Sequence, residues 1–261
     1  MADDSADPTG ITLRVEGAVA TITLDRPEVR NAQHPGMWAA MVEALESLDG
    51  DVRVVVVRGA GGTFSAGLDL SLLDPGRADH PDSLIATAMK SDQEIIDTIG
   101  TYQLPFAMLA DPRFVSVAVV EGHAIGAGFQ LALCCDLRIA SDDAQFCMKE
   151  PALGLVPDLV GTKPLVEAVG YARALEICAT ARMVPAVEAG EIGIVQAVVP
   201  ADQLDETVSR TVAGLTAHAA GAVRATKALL QQAPHRTLDE QRLAERTAQA
   251  ARFRDLLGQK G

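Results

Sequence analysis

Three observations in the 261-residue chain predict an α/β fold. Two continuous apolar stretches, VRVVVVRG and FVSVAVVEG, read as strands covered on both faces, and each feeds a glycine-rich segment that leads on to a helix. An alternating run, ITLRVEGAVATITLD, precedes them and reads as two short strands joined by a turn at Glu16-Gly17. From about residue 202 to 257 the pattern is almost wholly helical, as in DQLDETVSRTVAGLTAH and LDEQRLAERTAQAARFRDLL.

Taken in order, residues 1–10 (MADDSADPTG) are expected to form a disordered leader. RPEVRNAQHPG reads as a loop. MWAAMVEALESLDG carries Met37, Met41, Leu45 and Leu48 at helical spacing, with Gly50 just past its end. GAGGTFSAGLDL reads as a loop after the first apolar strand, and the polar DPGRADHPDS as a mobile loop before a helix from about Ser83 to Thr101. HAIGAGFQLALCCD turns from a glycine-rich loop into a helix, and LRIAS is a short strand. KPLVEAVG, YARALEICATA and AVEAGEIG read as helices and QAVVP as a last strand. The organisation predicted is a core over residues 11–200 with a helical region over 201–261.

Hydrophobic residues make up 48% of the chain but aromatics only 3%, so the interior must be packed with Val, Leu, Ile and Ala. A net charge of −13 argues against a nucleic-acid or anionic-membrane surface. It leaves room for a small anionic ligand held by a few local Arg or Lys side chains. No apolar run reaches the length of a membrane span, and no secretory h-region follows the acidic N-terminus. Cys134, Cys135, Cys147 and Cys178 have no metal-ligand spacing and read as reduced thiols, so the expected setting is the cytoplasm and no metal is expected.

Several chemistries fail on spacing. RGAGGTF has Phe64 where a dinucleotide-binding G-x-G-x-x-G needs its third glycine. Ser65 has Thr63 where a nucleophile elbow needs glycine, and none of the five His residues offers a triad context. What remains is the stretch KEPALGLVPD, in which Glu150 and Asp158 bracket an apolar run, and two glycine-rich turns, SAGLDL and GAGFQL. Two acids in a proline-containing loop are ordinarily solvated loop ends, and each turn by itself is ordinarily a turn. An apolar surrounding disfavours a charged carboxylate, however, and two turns with unpaired N–H groups converging on one oxygen would make an oxyanion hole.

LDRPEVRNAQ (24–33), GGTFSAGLDL (61–70), VEGHAIGAGFQLALCCDLRIAS (120–141), FCMKEPALGLVPDLVGT (146–162) and YARALEICATARMVPAVEAGEIGIVQAVVP (171–200) together resemble the crotonase superfamily, the enoyl-CoA hydratases and isomerases, over roughly residues 11–230. The resemblance implies a spiral of repeated ββα units with a helical C-terminal region, assembled as a homotrimer or dimer of trimers. It implies an acyl-CoA thioester substrate, no separate cofactor because coenzyme A is part of that substrate, and a thioester enolate stabilised by two backbone N–H groups. Those donors map onto Leu68 and Ala127, with Gly67 and Gly128 shaping the turns and Ala66, Asp69 and Leu70 in the segment that cradles the ligand. Arg26 and Arg30 fall near the loop that meets the nucleotide end of coenzyme A.

Hydratases of this kind place one catalytic glutamate at the position of Gln130 and the other at Glu150. An amide at 130 cannot act as a general base. Asp158 falls where many hydratases have glycine and where dienoyl-CoA isomerases carry an acid. Glu150, Asp158 and Gln130 are thus the expected catalytic positions. The pattern implies a double-bond isomerase, with an enoyl-CoA hydratase using Glu150 largely alone, a CoA-thioester hydrolase or a non-catalytic acyl-CoA-binding protein as alternatives.

Overall fold

The computed structural model describes residues 9–77, 79–80 and 83–258. Strands β1 (Ile11–Glu16), β2 (Val19–Leu24), β3 (Val54–Gly59), β4 (Val115–Val120), β5 (His123–Ile125), β6 (Leu137–Ser141), β7 (Gln145–Cys147), β8 (Val184–Pro185) and β9 (Ala197–Val199) form two sheets. The larger has the order β1-β2-β3-β4-β6-β9 and is parallel except for the β1–β2 hairpin; the smaller has the order β5-β7-β8. From β4 to β7 successive strands alternate between the sheets, so β4–β5 and β6–β7 each contribute one strand to either sheet before the chain turns into a helix. That is the ββα repeat.

The helices are α1 (Pro35–Glu46), α2 (Leu84–Ala88), α3 (Asp92–Met108), α4 (Ala127–Cys134), α5 (Thr162–Val169), α6 (Tyr171–Thr180), α7 (Ala186–Glu191), α8 (Leu204–Thr216), α9 (Ala220–Gln232) and α10 (Leu238–Leu256). The apolar strands are continuous because both faces are covered. Val55, Val57, Ala118, Val120 and Ala140 pack into the main core with Trp38, Phe106, Phe129 and Phe146. Val54, Val56, Val117, Val119 and Ile139 face a second cluster capped by Leu204 and flanked by Val208 and Val212 of α8. The helical region therefore supplies one wall of the sheet. Lys227 of α9 fixes it further: its buried ammonium donates to Asp136 at 2.6 Å and to the carbonyls of Asp111 and Phe114 at 2.8 Å.

Two expectations need correction. The helix predicted from Ser83 to Thr101 is two helices, broken at Met89–Lys90 and restarted by a capping box in which Ser91 and Glu94 satisfy each other's backbone N–H groups. The second helix runs on to Met108 with Pro105 inside it, because burying Pro105 and Phe106 offsets the backbone hydrogen bond that proline cannot make. The glycine-rich loop before α4 also contains strand β5, too short to show a periodicity. Of the expected leader, residues 1–8 lie outside the described residues, while the Gly10 carbonyl accepts from Asp25 N–H at 2.9 Å.

Candidate active site

The turn after β3 is built by three buried polar residues. Asn31, held at φ +55°, donates from its amide to the carbonyls of Ala60 (2.9 Å) and Thr63 (2.7 Å). Ser65 Oγ donates to the Asn31 carbonyl at 2.8 Å and accepts from Gln33 Nε2 at 3.0 Å and Gly67 N–H at 3.1 Å. Trp38 Nε1 donates to Gln33 Oε1 at 2.9 Å and completes the chain. Its hydroxyl fully engaged, Ser65 is a brace and not a nucleophile. Gln33 also pairs with the turn through its backbone, donating to Gly67 O and accepting from Asp69 N–H, which leaves the Leu68 N–H between them.

The second turn begins α4. Gly126, at φ +51°, donates to Cys147 O, and Ala127 N–H is in the first helical turn. Among the described residues no acceptor faces the N–H of Leu68 or of Ala127. The turns meet closely: a Cβ on Gly67 would lie 2.5 Å from Ile125 O and 3.6 Å from Ala127 N, and one on Gly128 would lie 2.7 Å from Ser65 O. The far end of α4 is fixed by the buried Arg138, whose guanidinium donates to Cys135 O at 2.6 Å and to Ala132 O and Leu133 O at 3.3 Å.

Glu150 opens a 3-10 turn, Glu150–Leu153, that follows β7. Pro151 sits in its first turn, where a missing N–H leaves nothing unpaired, and Gly154 ends it at φ +73°. The Glu150 side chain is buried against Gly126, whose added Cβ would lie 3.2 Å from Oε1. Gln130 Nε2 donates to that same Oε1 at 2.7 Å, whereas Oε2 is buried without a partner among the described residues. Burial pushes the Glu150 carboxyl above its ordinary value, and the neighbouring Asp158 carboxylate adds to the shift. Asp158, half-buried, is likewise pushed up by burial. Glu150 therefore stands against Gln130 and the Gly126 turn that meets Gly67, with the charge of Asp158 acting on it. Among the described residues no cluster of His, Cys, Asp or Glu side chains has the makings of a metal site.

The remaining expected residues are placed differently. Arg26 donates to Ala32 O at 2.6 Å and pairs with Asp69 at 3.2 Å, so its guanidinium ties the loop before α1 to the loop after β3. Asp69 caps the turn Leu70–Leu73; burial raises its carboxyl, but bonds from Ser71 and the Arg26 charge outweigh that and hold it below its ordinary value. Ala66 N–H donates to Arg30 O, while the Arg30 side chain and Leu70 are exposed. Arg30 is thus the cation of the pair left facing outward. Sequence reasoning passed over Asn31, Gln33 and Ser65 as structural parts of the site. Asn31 and Gln33 stand in the NAQ of LDRPEVRNAQ and Ser65 in GGTFSAGLDL, with no charge or spacing to mark them as parts of one brace.

A native carboxyl that binds its proton more tightly than the unfolded chain does lowers stability above its ordinary value and costs nothing below it. Glu150→Gln is therefore expected to raise the melting temperature at pH 7, and the gain is expected to vanish below the ordinary value of 4.5. Thermal melts of both proteins across that range check it, and a gain independent of pH would contradict it.

A spiral of ββα units whose two glycine turns and buried acid meet at one point defines a crotonase-type enzyme. The family model for enoyl-CoA hydratase/isomerase matches residues 14–261, and the chain belongs to that family. The chain is similar in structure to a Thermobifida fusca protein assigned as an enoyl-CoA hydratase, solved with acetoacetyl-CoA: 48% identity, TM-score 0.89, 95% of this chain and 96% of that one. It is 32% identical over 230 residues to an assigned enoyl-CoA hydratase of Mycobacterium tuberculosis, covering 87% of this chain and 83% of the other. It is also 32% identical over 230 residues to the peroxisomal Δ(3,5)-Δ(2,4)-dienoyl-CoA isomerase of Arabidopsis thaliana, covering 84% and 80%. Among the described residues no helix is long and apolar enough to cross a membrane.

Proposed function

We propose that the protein is a double-bond isomerase of unsaturated acyl-CoA thioesters. The observation that carries this reading is the pairing of Glu150 with Asp158, both with raised carboxyls, where the third side chain is the amide of Gln130. Two partly desolvated acids close enough for one charge to act on the other can exchange roles as proton donor and acceptor near neutral pH. The thioester oxygen would lie between the Leu68 and Ala127 N–H groups. One carboxylate removes a proton from carbon activated by the thioester, and the electron pair moves through carbon onto the thioester oxygen. The electron pair returns from the thioester oxygen through carbon to a more distant carbon, which takes a proton either from that same acid or from its partner. In the second case the partner starts protonated and recovers a proton from the first acid. The double bond shifts, and both carboxyls end as they began. Arg30 is the proposed contact for the nucleotide end of coenzyme A. A homotrimer or dimer of trimers in the cytoplasm belongs to the same reading.

Hydration is the second reading, favoured by the enoyl-CoA hydratase name that the Thermobifida fusca relative carries; Glu150 would then activate water largely alone. Mass-resolved product analysis with 2-enoyl-, 3-enoyl- and 3,5-dienoyl-CoA thioesters separates the two. The expected result is a shifted double bond at constant mass, lost in both Glu150→Gln and Asp158→Asn. Gain of one water, sensitive to Glu150 but not to Asp158, would overturn the isomerase reading.

A further inference from the structure

Gln130 occupies the centre of the site without having the chemistry of an acid or base. Its side chain, completely buried on α4, has two ends with opposite tasks. Nε2 donates to Glu150 Oε1 at 2.7 Å. Oε1 accepts from Leu159 N–H at 2.8 Å and from Gly161 N–H at 3.3 Å. Between those two bound residues Val160 is held at φ +70°, a conformation that a β-branched side chain hardly ever adopts. Gly161 packs so tightly on Gln130 that a Cβ there would come within 2.6 Å of Gln130 Cγ. Asp158 stands at the head of this strained segment, and its own carbonyl accepts from Gln103 Nε2 of α3 at 2.6 Å.

We propose that Gln130 is the positioning residue of this site: its carbonyl end sets the backbone that carries Asp158, and its amide end ties down Oε1 of Glu150 so that Oε2 is the reacting oxygen. The amide is the side chain that performs both tasks at once. A carboxylate at 130 could still accept from the two N–H groups, but it would face Oε1 with an acceptor where a donor is needed. An apolar side chain would leave three groups unpaired: two backbone donors and one carboxylate oxygen. The strained Val160 identifies this segment as held in place by its surroundings, and Gln130 accepts from both N–H groups that flank Val160. Asp158's share of the proposal rests on the isomerase reading, while the tie to Glu150 does not.

The test uses the resting protein first, so that it does not depend on which reaction the enzyme performs. In Gln130→Glu two carboxyls meet at Oε1 and share a proton. The ¹³C-carboxyl titration of Glu150 is then expected to move up by about one pH unit or more, with the acid limb of the pH–rate profile following it. The other charges and titratable groups facing Glu150 are Asp158, Cys147 of β7 and Cys178 of α6, all present in both proteins. In Gln130→Met the amides of Leu159 and Gly161 are expected to exchange at least about tenfold faster, since their shared acceptor is gone. Turnover should fall about 10²-fold, with KM changed far less, and adding Asp158→Asn should lower it little further. An unmoved Glu150 titration in Gln130→Glu, or unchanged exchange at 159 and 161 in Gln130→Met, would overturn the assignment. Water addition in the substrate panel would remove the isomerase reading and leave these two measurements standing.

Discussion

Glu150→Gln is expected to lower kcat by about 10²–10⁴-fold on whichever thioester the wild type turns over. The substitution is close to isosteric, and its carbonyl oxygen can take the place of Oε1 as acceptor of the 2.7 Å bond from Gln130. What is lost is Oε2, the buried oxygen without a partner, and with it the capacity to hold and release a proton. The acyl thioester should still bind, because the Leu68 and Ala127 N–H groups and the turns that aim them do not touch the substituted atom. Steady-state kinetics with isothermal titration of a non-reacting thioester separates the two effects. A kcat within about threefold of wild type would remove Glu150 from the chemistry and favour an acyl-CoA-binding role. Because the same variant is expected to be more stable than wild type at neutral pH, loss of activity cannot be assigned to unfolding. Stability and activity moving in opposite directions mark a group that the fold pays to bury.

The two central strands were legible because a fully covered strand leaves a long apolar run, and VRVVVVRG and FVSVAVVEG are such runs. The two turns were legible through their glycines, and Glu150 and Asp158 through charge standing in apolar sequence. The capping box that splits the helix after Ser83 was also written in the sequence, as the S-x-x-E of Ser91 to Glu94, but an apolar count runs straight through it. Other parts had no local sign. Nothing in the sequence pairs Arg26 with Asp69, 43 residues away, and the pair ties the loop before α1 to the loop after β3. The bonds from Gln130 to residues 150, 159 and 161, and the left-handed Val160 they hold, exist only once α4 and the segment after the 3-10 turn are packed together. Residue type revealed that Gln130 is no base. Its use of both amide ends is a tertiary fact.

Gly67→Ala is expected to lose about 10²–10³-fold in kcat, the cost of misplacing one oxyanion donor. Gly67 has φ +91°, where a Cβ would be strained even in open space, and here the Cβ would lie 2.5 Å from the Ile125 carbonyl. The obstacle is backbone of the β5–α4 segment, which also carries Ala127, so relief requires the two turns to part. Parting them separates the Leu68 and Ala127 N–H groups, which serve only when both reach one oxygen. Strain by itself would cost about 1–3 kcal/mol of stability wherever it fell. Gly193→Ala is the control for that term, since Gly193 has a similar φ of +87° in the turn after α7 and its Cβ would meet the Ala168 carbonyl at 3.4 Å. Kinetics and thermal melts of the two variants side by side should show both less stable and only Gly67→Ala deficient in turnover. Equal loss of activity in both would mean that the glycine serves the fold and that the two N–H groups do not act as a pair. A deficit confined to Gly67→Ala ties the rate to the approach of one turn to the other.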